Sequence, residues 1–509
     1  MQDIGIYKLS LREILRPDSG VITLLAVSSV VVISVVAFKN LVLVASEDGV
    51  YDLKGLPFVS IWPFFTKRYD FMMSNFKKTG KKIFRFRLMQ HRIVAVAGES
   101  ARKVFFNEKG LDLEEGYGVL MGGKPKMHDI QVETADMKDL STVTKQLVHL
   151  LRKERLAEIL PSLFDDVHRR MEDWGEEGTI NPFKEIYELV FQMTIRLASC
   201  RELSEDKEAI AQLEKLFWNL EKSATPLALL FPWFPGSAVR AKKDATQKLY
   251  NLLAGYVEIR RNAPEPNLDA IDVLIAAGDS TEAIVGFVLG VVFAGFINTG
   301  MNVCWNLLYL GNNPEWKSKV ALEIQALIET HTDPQSSEPL HKRLSSIPPD
   351  TWEDSMPALD AVIRETLRIV TTTTLLRRNL GRDIEIDGAS IKTGDFLVYP
   401  LADVHHDPGI YPDPLMFDPG RYDEDRAEGK NVNMGFVGWG AGRHPCVGMR
   451  VAKLEIKLVL ALIISGYDWS MVDAVGNVPS ELPQPDRNDI HQSRPIGEPC
   501  FLKFRRVVK

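Results

Sequence analysis

The sequence predicts a mainly α-helical protein with smaller β-sheets, preceded by an N-terminal transmembrane helix. Three observations carry this reading. Residues 20 to 38, GVITLLAVSSVVVISVVAF, contain no charge. From about residue 140 to 370 helical patterns dominate, with no repeat or low-complexity tract. Short alternating segments, KIFRFRL at 82 to 88 foremost, supply the strands.

The uncharged run would make a helix of roughly 28 Å at about 1.5 Å per residue, close to the hydrocarbon thickness of a bilayer. It marks off a leader (1–19), a transmembrane anchor (20–38) and a linker (39–66), while length alone leaves open whether 67–509 is one large domain or several. The competing reading is a cleaved signal peptide. Against it, Lys8, Arg12 and Arg16 sit in a long, partly acidic leader, and no small-residue cleavage site follows. Those three basic residues precede the run and Lys39 and Lys54 follow it, so charge alone leaves the orientation open.

Within 82 to 88, Phe84, Phe86 and Leu88 alternate with Arg85 and Arg87, and IVAVAG beyond Met89 to Arg92 completes a hairpin. Gly116, Gly118, Gly122 and Gly123 mark a long flexible loop. Ala283 to Pro314 carries no charge, so hydropathy alone reads it as a second membrane span. A long buried helix is the preferred reading. Asp279 and Glu282 start it, Gly311 to Pro314 stop it, and Asn298, Asn302 and Asn306 recur every four residues along one face. In lipid each of those amides would need a helical partner.

At 509 residues, 45% hydrophobic and 25% charged, the chain matches a globular enzyme and excludes disordered and fibrous classes. A net charge of -7 gives no whole-chain attraction for phosphate backbones, so nucleic acid is not an expected partner. Cys200, Cys304, Cys446 and Cys500 lie far apart with no CxxC pair, which argues against a zinc site or disulfide scaffold and fits a reducing compartment.

Residues 436 to 450, FVGWGAGRHPCVGMR, are the strongest local signal. Gly438, Gly440 and Gly442 let the backbone turn tightly before Cys446, and Gly448 keeps the far side free of a side chain. Pro445 pushes His444 toward an extended conformation, and VAKLEIKLVLALII then begins a helix whose N-terminus favours a thiolate. A glycine-rich turn around an inert cysteine is the bland alternative.

WGAGRHPCVG resembles the haem-binding loop of cytochromes P450, above all the FGxGRHxCxG form of sterol 14-demethylases and related fungal enzymes. Trp439 stands where that pattern has phenylalanine. The resemblance implies the cytochrome P450 fold, as a single domain over 67–509, and haem b, iron protoporphyrin IX, with Cys446 as the axial ligand of the iron. Phe436, Gly440 and Gly448 would line the cofactor. Two further elements follow the family order. AVIRETLR places Glu365 and Arg368 at i and i+3 on one helix face, and PDPLMFDPGRY, similar to the family's PxxFxPxRF stretch, supplies Arg421. The resemblance makes these three a charge-paired structural clamp rather than catalytic acids. By family position His444 and Arg378 would hold the haem propionates, with Lys145 as a further contact.

The long helix departs from the family. Where many members have A/G-G-x-D/E-T, this chain reads Ala294, Gly295, Phe296, Ile297, Asn298, Thr299. Isoleucine replaces the acid and Asn298 the threonine. Asn298 and Thr299 are the candidate catalytic pair for proton routing, although an amide orients water without ionising. The other reading is that both satisfy a helix kink at Gly295.

A thiolate ligand implies oxygen insertion. No flavin or nicotinamide fingerprint is present, so the resemblance implies a separate NADPH-cytochrome P450 reductase. It also implies a single-pass protein of the endoplasmic reticulum membrane with the catalytic domain facing the cytosol. Arg443, Arg450, Lys453 and Lys457 form either a basic docking surface or a solvated face. TPLALLFPWFPG (225–236) either dips into the membrane surface or packs in the core. Pocket walls implied by family position are 114–128, Phe293 to Thr299 and Val370 to Leu376, which suit a terpenoid, sterol-like or other apolar skeleton, and the fungal resemblance implies secondary metabolism. Two rivals stand beside the monooxygenase: a haem-thiolate isomerase or dehydratase needing no reductase, and a non-catalytic haem or ligand-binding protein.

Overall fold

The computed structural model describes residues 50–53, 62–88, 91–120, 140–226, 228, 236–333, 335–489 and 492–507. The expected anchor at 20–38 and most of the 225–236 connection lie outside them.

The long helix Thr281–Gly311 runs through the core, packed against Pro182–Ala198, Ser237–Arg261, Pro357–Val370 and Met449–Gly466. Its start differs slightly from the acidic signal: Ser280 is the cap, its hydroxyl accepting from the Ala283 amide at 3.2 Å. The hydropathy that suits a membrane span here serves burial among helices, with Trp305, Leu307 and Leu308 fully enclosed.

One six-stranded sheet flanks the helices, in the order Tyr51–Asp52, Ile83–Leu88, His91–Val96, Phe396–Pro400, Thr374–Asn379, Leu111–Asp112. The hairpin pairs Ile83 with Val96 and Leu88 with His91. Alternation is incomplete because the strand is covered on both faces. Phe84, Phe86 and Leu88 join Phe64 and Phe71 in one cluster, while Arg85 is buried against Asp52 at 3.1 Å. Tyr51–Asp52 and Trp62–Thr66, inside the expected linker, therefore already belong to the folded unit.

The glycine-marked loop is corrected in part: Leu113–Leu120 is helical. Gly116 is there for close approach, since a side-chain carbon would fall 2.2 Å from the Leu376 carbonyl oxygen. Residues 121–139 lie outside the described residues.

Candidate active site

The Cys446 loop is tied back on itself and onto a distant helix. Cys446 donates its backbone N–H to the Trp439 carbonyl at 2.7 Å, and Gly440–Ala441 pairs with His444–Pro445. Gly440 and Gly442 hold φ of 71° and 57°, which glycine adopts without strain. A side chain on Gly442 would strike the Phe106 carbonyl, the same oxygen that accepts the Arg443 amide at 2.9 Å. The loop thus rests on the helix Glu99–Asn107. Cys446 is exposed, with Val447 and Met449 beside it, whereas the other three cysteines are buried. Desolvation nevertheless pushes its thiol up, with the Gly448 backbone pulling the other way.

Glu365, Arg368 and Arg421 are completely buried. Glu365 accepts from Arg368 at 2.8 and 2.9 Å, from Arg421 at 2.8 Å and from the Tyr422 hydroxyl at 2.9 Å. Arg368 also donates to the carbonyls of His405 and Pro414, and Arg421 to those of Pro412 and Met416 and to Glu428. Burial works against the Arg368 charge, and Glu365 more than offsets it. His405 carries this cluster to the cysteine loop. Its ring nitrogen accepts from the Val437 amide at 3.1 Å and its ring stacks on Phe436 at 5.3 Å. Burial first, then the neighbouring His406 and the Arg368 guanidinium, hold His405 well below the usual histidine range against a backbone hydrogen bond at Thr371, so it stays a neutral acceptor.

Arg377 and Arg378, adjacent on Thr374–Asn379, have different surroundings. Arg378, half-buried, pairs with Glu115 at 2.7 Å and lies over Phe396, while its Nε has no hydrogen-bond partner. Arg377 is 2% exposed, lies over Phe105, and has Nε and Nη1 without hydrogen-bond partners. Burial lowers it to about 10, against the pull of Asp112. His444 is lowered by burial and then by Arg377 and Arg443. Both arginines keep unpaired buried donors, and Arg377, which the sequence reading did not single out, lies close enough to His444 to lower it, an arrangement that fits a carboxylate-bearing group such as haem. Lys145 is exposed on Leu140–Leu150.

On the long helix, Gly290, Ala294 and Asn298 form an exposed stripe at four-residue spacing along an otherwise buried element, so this face borders a cleft. Phe293 beside it joins Phe217 and Phe296 in an aromatic cluster. Thr299 is buried and its hydroxyl donates to the Gly295 carbonyl at 2.8 Å. Of the candidate pair, Asn298 faces open space and Thr299 is engaged by its own helix.

The expected basic patch is largely neutralised. Arg450 pairs with Glu353, Lys453 with Asp360 at 2.8 Å, and Lys457 is buried against Asp360 at 3.0 Å, leaving Arg443 exposed.

The family model for cytochrome P450 matches residues 52–490. The cytochrome P450 monooxygenase AacuE of Aspergillus aculeatus is 30% identical over 466 residues, covering 89% of this chain and 92% of that protein. Sterol 14alpha-demethylase of Mycobacterium tuberculosis is 26% identical over 437 residues, 83% of this chain and 90% of the relative. The structure of retinoic acid bound cyanobacterial CYP120A1 shares the fold, with a TM-score of 0.71 at 21% identity, over 90% of this chain and 99% of that one. Matched over most of its length by the family model and by named monooxygenases, the chain belongs to the cytochrome P450 family and is an oxidoreductase that incorporates oxygen.

Proposed function

We propose that this monooxygenase hydroxylates or otherwise oxidises an apolar metabolite of terpenoid or sterol-like skeleton in fungal secondary metabolism. Its electrons come from NADPH-cytochrome P450 reductase. The observation that carries the reading is Cys446, the exposed cysteine on a loop whose glycines fix its shape. Cys446 would hold the iron of haem b, and Arg377 with His444 its propionates, in place of Arg378. When bound, thiolate-ligated haem supplies oxygen activation, because the sulfur donates electron density that favours O–O cleavage. Glu365, Arg368 and Arg421 clamp the chain beneath the loop, through His405. Asn298 orients a water at the cleft. The sterol 14alpha-demethylase relative supports a sterol-like skeleton, and the fungal monooxygenases support the fungal setting. In this reading residues 20–38 anchor the protein in the endoplasmic reticulum membrane, with 67–509 facing the cytosol.

A second reading, an isomerase or dehydratase, is favoured by Ile297 and by the engaged Thr299 hydroxyl. Product formation without reductase would select it.

The ferrous carbon monoxide complex should show the red-shifted Soret band of thiolate ligation, and Cys446→Ser should abolish it. A band that survives Cys446→Ser and disappears in Cys304→Ser would overturn the ligand. Substrate class is read from oxygenated products when candidate terpenoids and sterols are fed to yeast expressing the chain.

A further inference from the structure

Asn302, one turn beyond Asn298, is 1% exposed and its Nδ2 has no hydrogen-bond partner. The next turn shows what this amide forgoes. Asn306 Nδ2 donates back to the Asn302 backbone carbonyl at 2.8 Å and to Asn302 Oδ1 at 2.6 Å. Asn306 Oδ1 in turn accepts from the Thr366 hydroxyl at 2.9 Å, and both residues are completely buried. The donors therefore all run one way, from Thr366 through Asn306 to Asn302. The last donor in the line is unused.

An unpaired buried amide N–H is costly, and an internal water is the usual remedy where a second polar group stands near. Asn298 is that group. Residues four apart on a helix have Cβ atoms about 5 to 6 Å apart, which puts both amides within reach of one shared water, whereas the Asn306 and Asn302 side chains at the same spacing meet directly.

We propose that Asn298 and Asn302 hold one ordered water at the edge of the cleft, and that the Thr366–Asn306–Asn302 line orients it as a hydrogen-bond donor into that cleft. This rests on the reading of the Asn298 face as the reaction cleft. The water oxygen accepts from Asn302 Nδ2. One of its O–H groups goes to Asn298 Oδ1 and the other points into the cleft. Each bond in the line polarises the next, which makes the terminal water a better donor. Amides do not ionise near neutral pH, so Asn302, Asn306 and Thr366 are positioning residues that orient the water without carrying a proton. The arrangement places an oriented donor one turn from Ile297, where the family's acid is missing.

High-resolution structures of the haem-loaded protein and of Asn302→Leu test it directly. The native protein should show a water within hydrogen-bond reach of Asn302 Nδ2 and Asn298, and the variant should lack it. Asn302 Nδ2 bonded instead to the Asn298 carbonyl, with no water between, would overturn the proposal. In turnover with reductase, Asn302→Leu should raise the share of NADPH electrons recovered as hydrogen peroxide about fivefold, the worth of one net hydrogen bond. Thr366→Val, which removes the first donor while keeping side-chain shape, should raise it about twofold with haem content unchanged. An unchanged peroxide share in Thr366→Val would overturn the orienting role, and this variant serves if Asn302→Leu does not fold. Absence of any reductase-driven turnover would strike the functional reading instead, and the water site would still be decided by the structures.

Discussion

The Glu365 cluster and the amide line of the long helix are both buried polar networks, yet they are finished to different degrees. Around Glu365 the carboxylate and both guanidinium groups meet partners supplied by the chain itself. At Asn302 one donor nitrogen is left over, at Arg377 two and at Arg378 one. A network that closes within the protein fixes shape. One that stays open leaves donors for what the fold receives, which we propose to be a water at Asn302 and a carboxylate of the cofactor at the arginines. Glu455 adopts a third solution: with no compensating partner, burial raises its carboxyl to about 8, so it is mostly neutral.

The largest effect is expected from breaking the closed network. Glu365→Ala or Arg368→Ala leaves an uncompensated buried charge at a cost of about 3 to 5 kcal/mol, and neither variant should retain haem. The haem-to-protein ratio and Tm of the purified variants check this. Near-normal ratios in both would reduce the cluster to an ordinary ion pair.

A smaller effect tests the protonated carboxyl. The folded-state pKa of Glu455 lies above its unfolded value of 4.5, so stability is fully present below 4.5 and is lost as pH rises through about 8. Between pH 6 and 7.5, native protein should lose about 2 kcal/mol that Glu455→Gln does not lose. Parallel urea-unfolding profiles for the two proteins would mean that the carboxyl is paired.

The smallest effect distinguishes neighbours. Arg377→Met removes an incompletely paired buried cation, so the haem-depleted protein should gain about 1 to 2 kcal/mol while haem retention falls. Arg378→Met, at a half-exposed pair worth at most about 1 kcal/mol, should change both little. Haem dissociation rates decide, and a stronger loss in Arg378→Met would return the propionate contact to that residue.

What was legible in the sequence was local. The glycines around Cys446 and the i, i+3 spacing of Glu365 and Arg368 announce their geometry without knowledge of the rest of the fold. Strand phase was not: TTTTLLRR has no apolar-polar alternation to say that Arg377 is the more buried of the two arginines. The same holds for Asn298 and Thr299, since a helix apolar around most of its circumference does not reveal which stripe stays open. His405, Tyr422 and Glu428 act only through tertiary contacts, and the acids that neutralise Arg450, Lys453 and Lys457 come from other segments. No short-range pattern marks them.

The seat of the Cys446 loop on the Phe106 carbonyl also sets an order of events during synthesis. Strand residues 93–95 pair with 396–398, so the sheet that supports the pocket joins the two ends of the domain. Such long sequence separations make folding slow, because loop closure must precede the contacts that reward it. The cysteine lies near the end of the chain, and its loop takes shape only against a helix translated much earlier. With Cys446 as the proposed haem ligand, cofactor capture is a late step, and a ribosome-bound chain waits with its sheet edges unpaired, the condition in which partly made proteins aggregate or need chaperones.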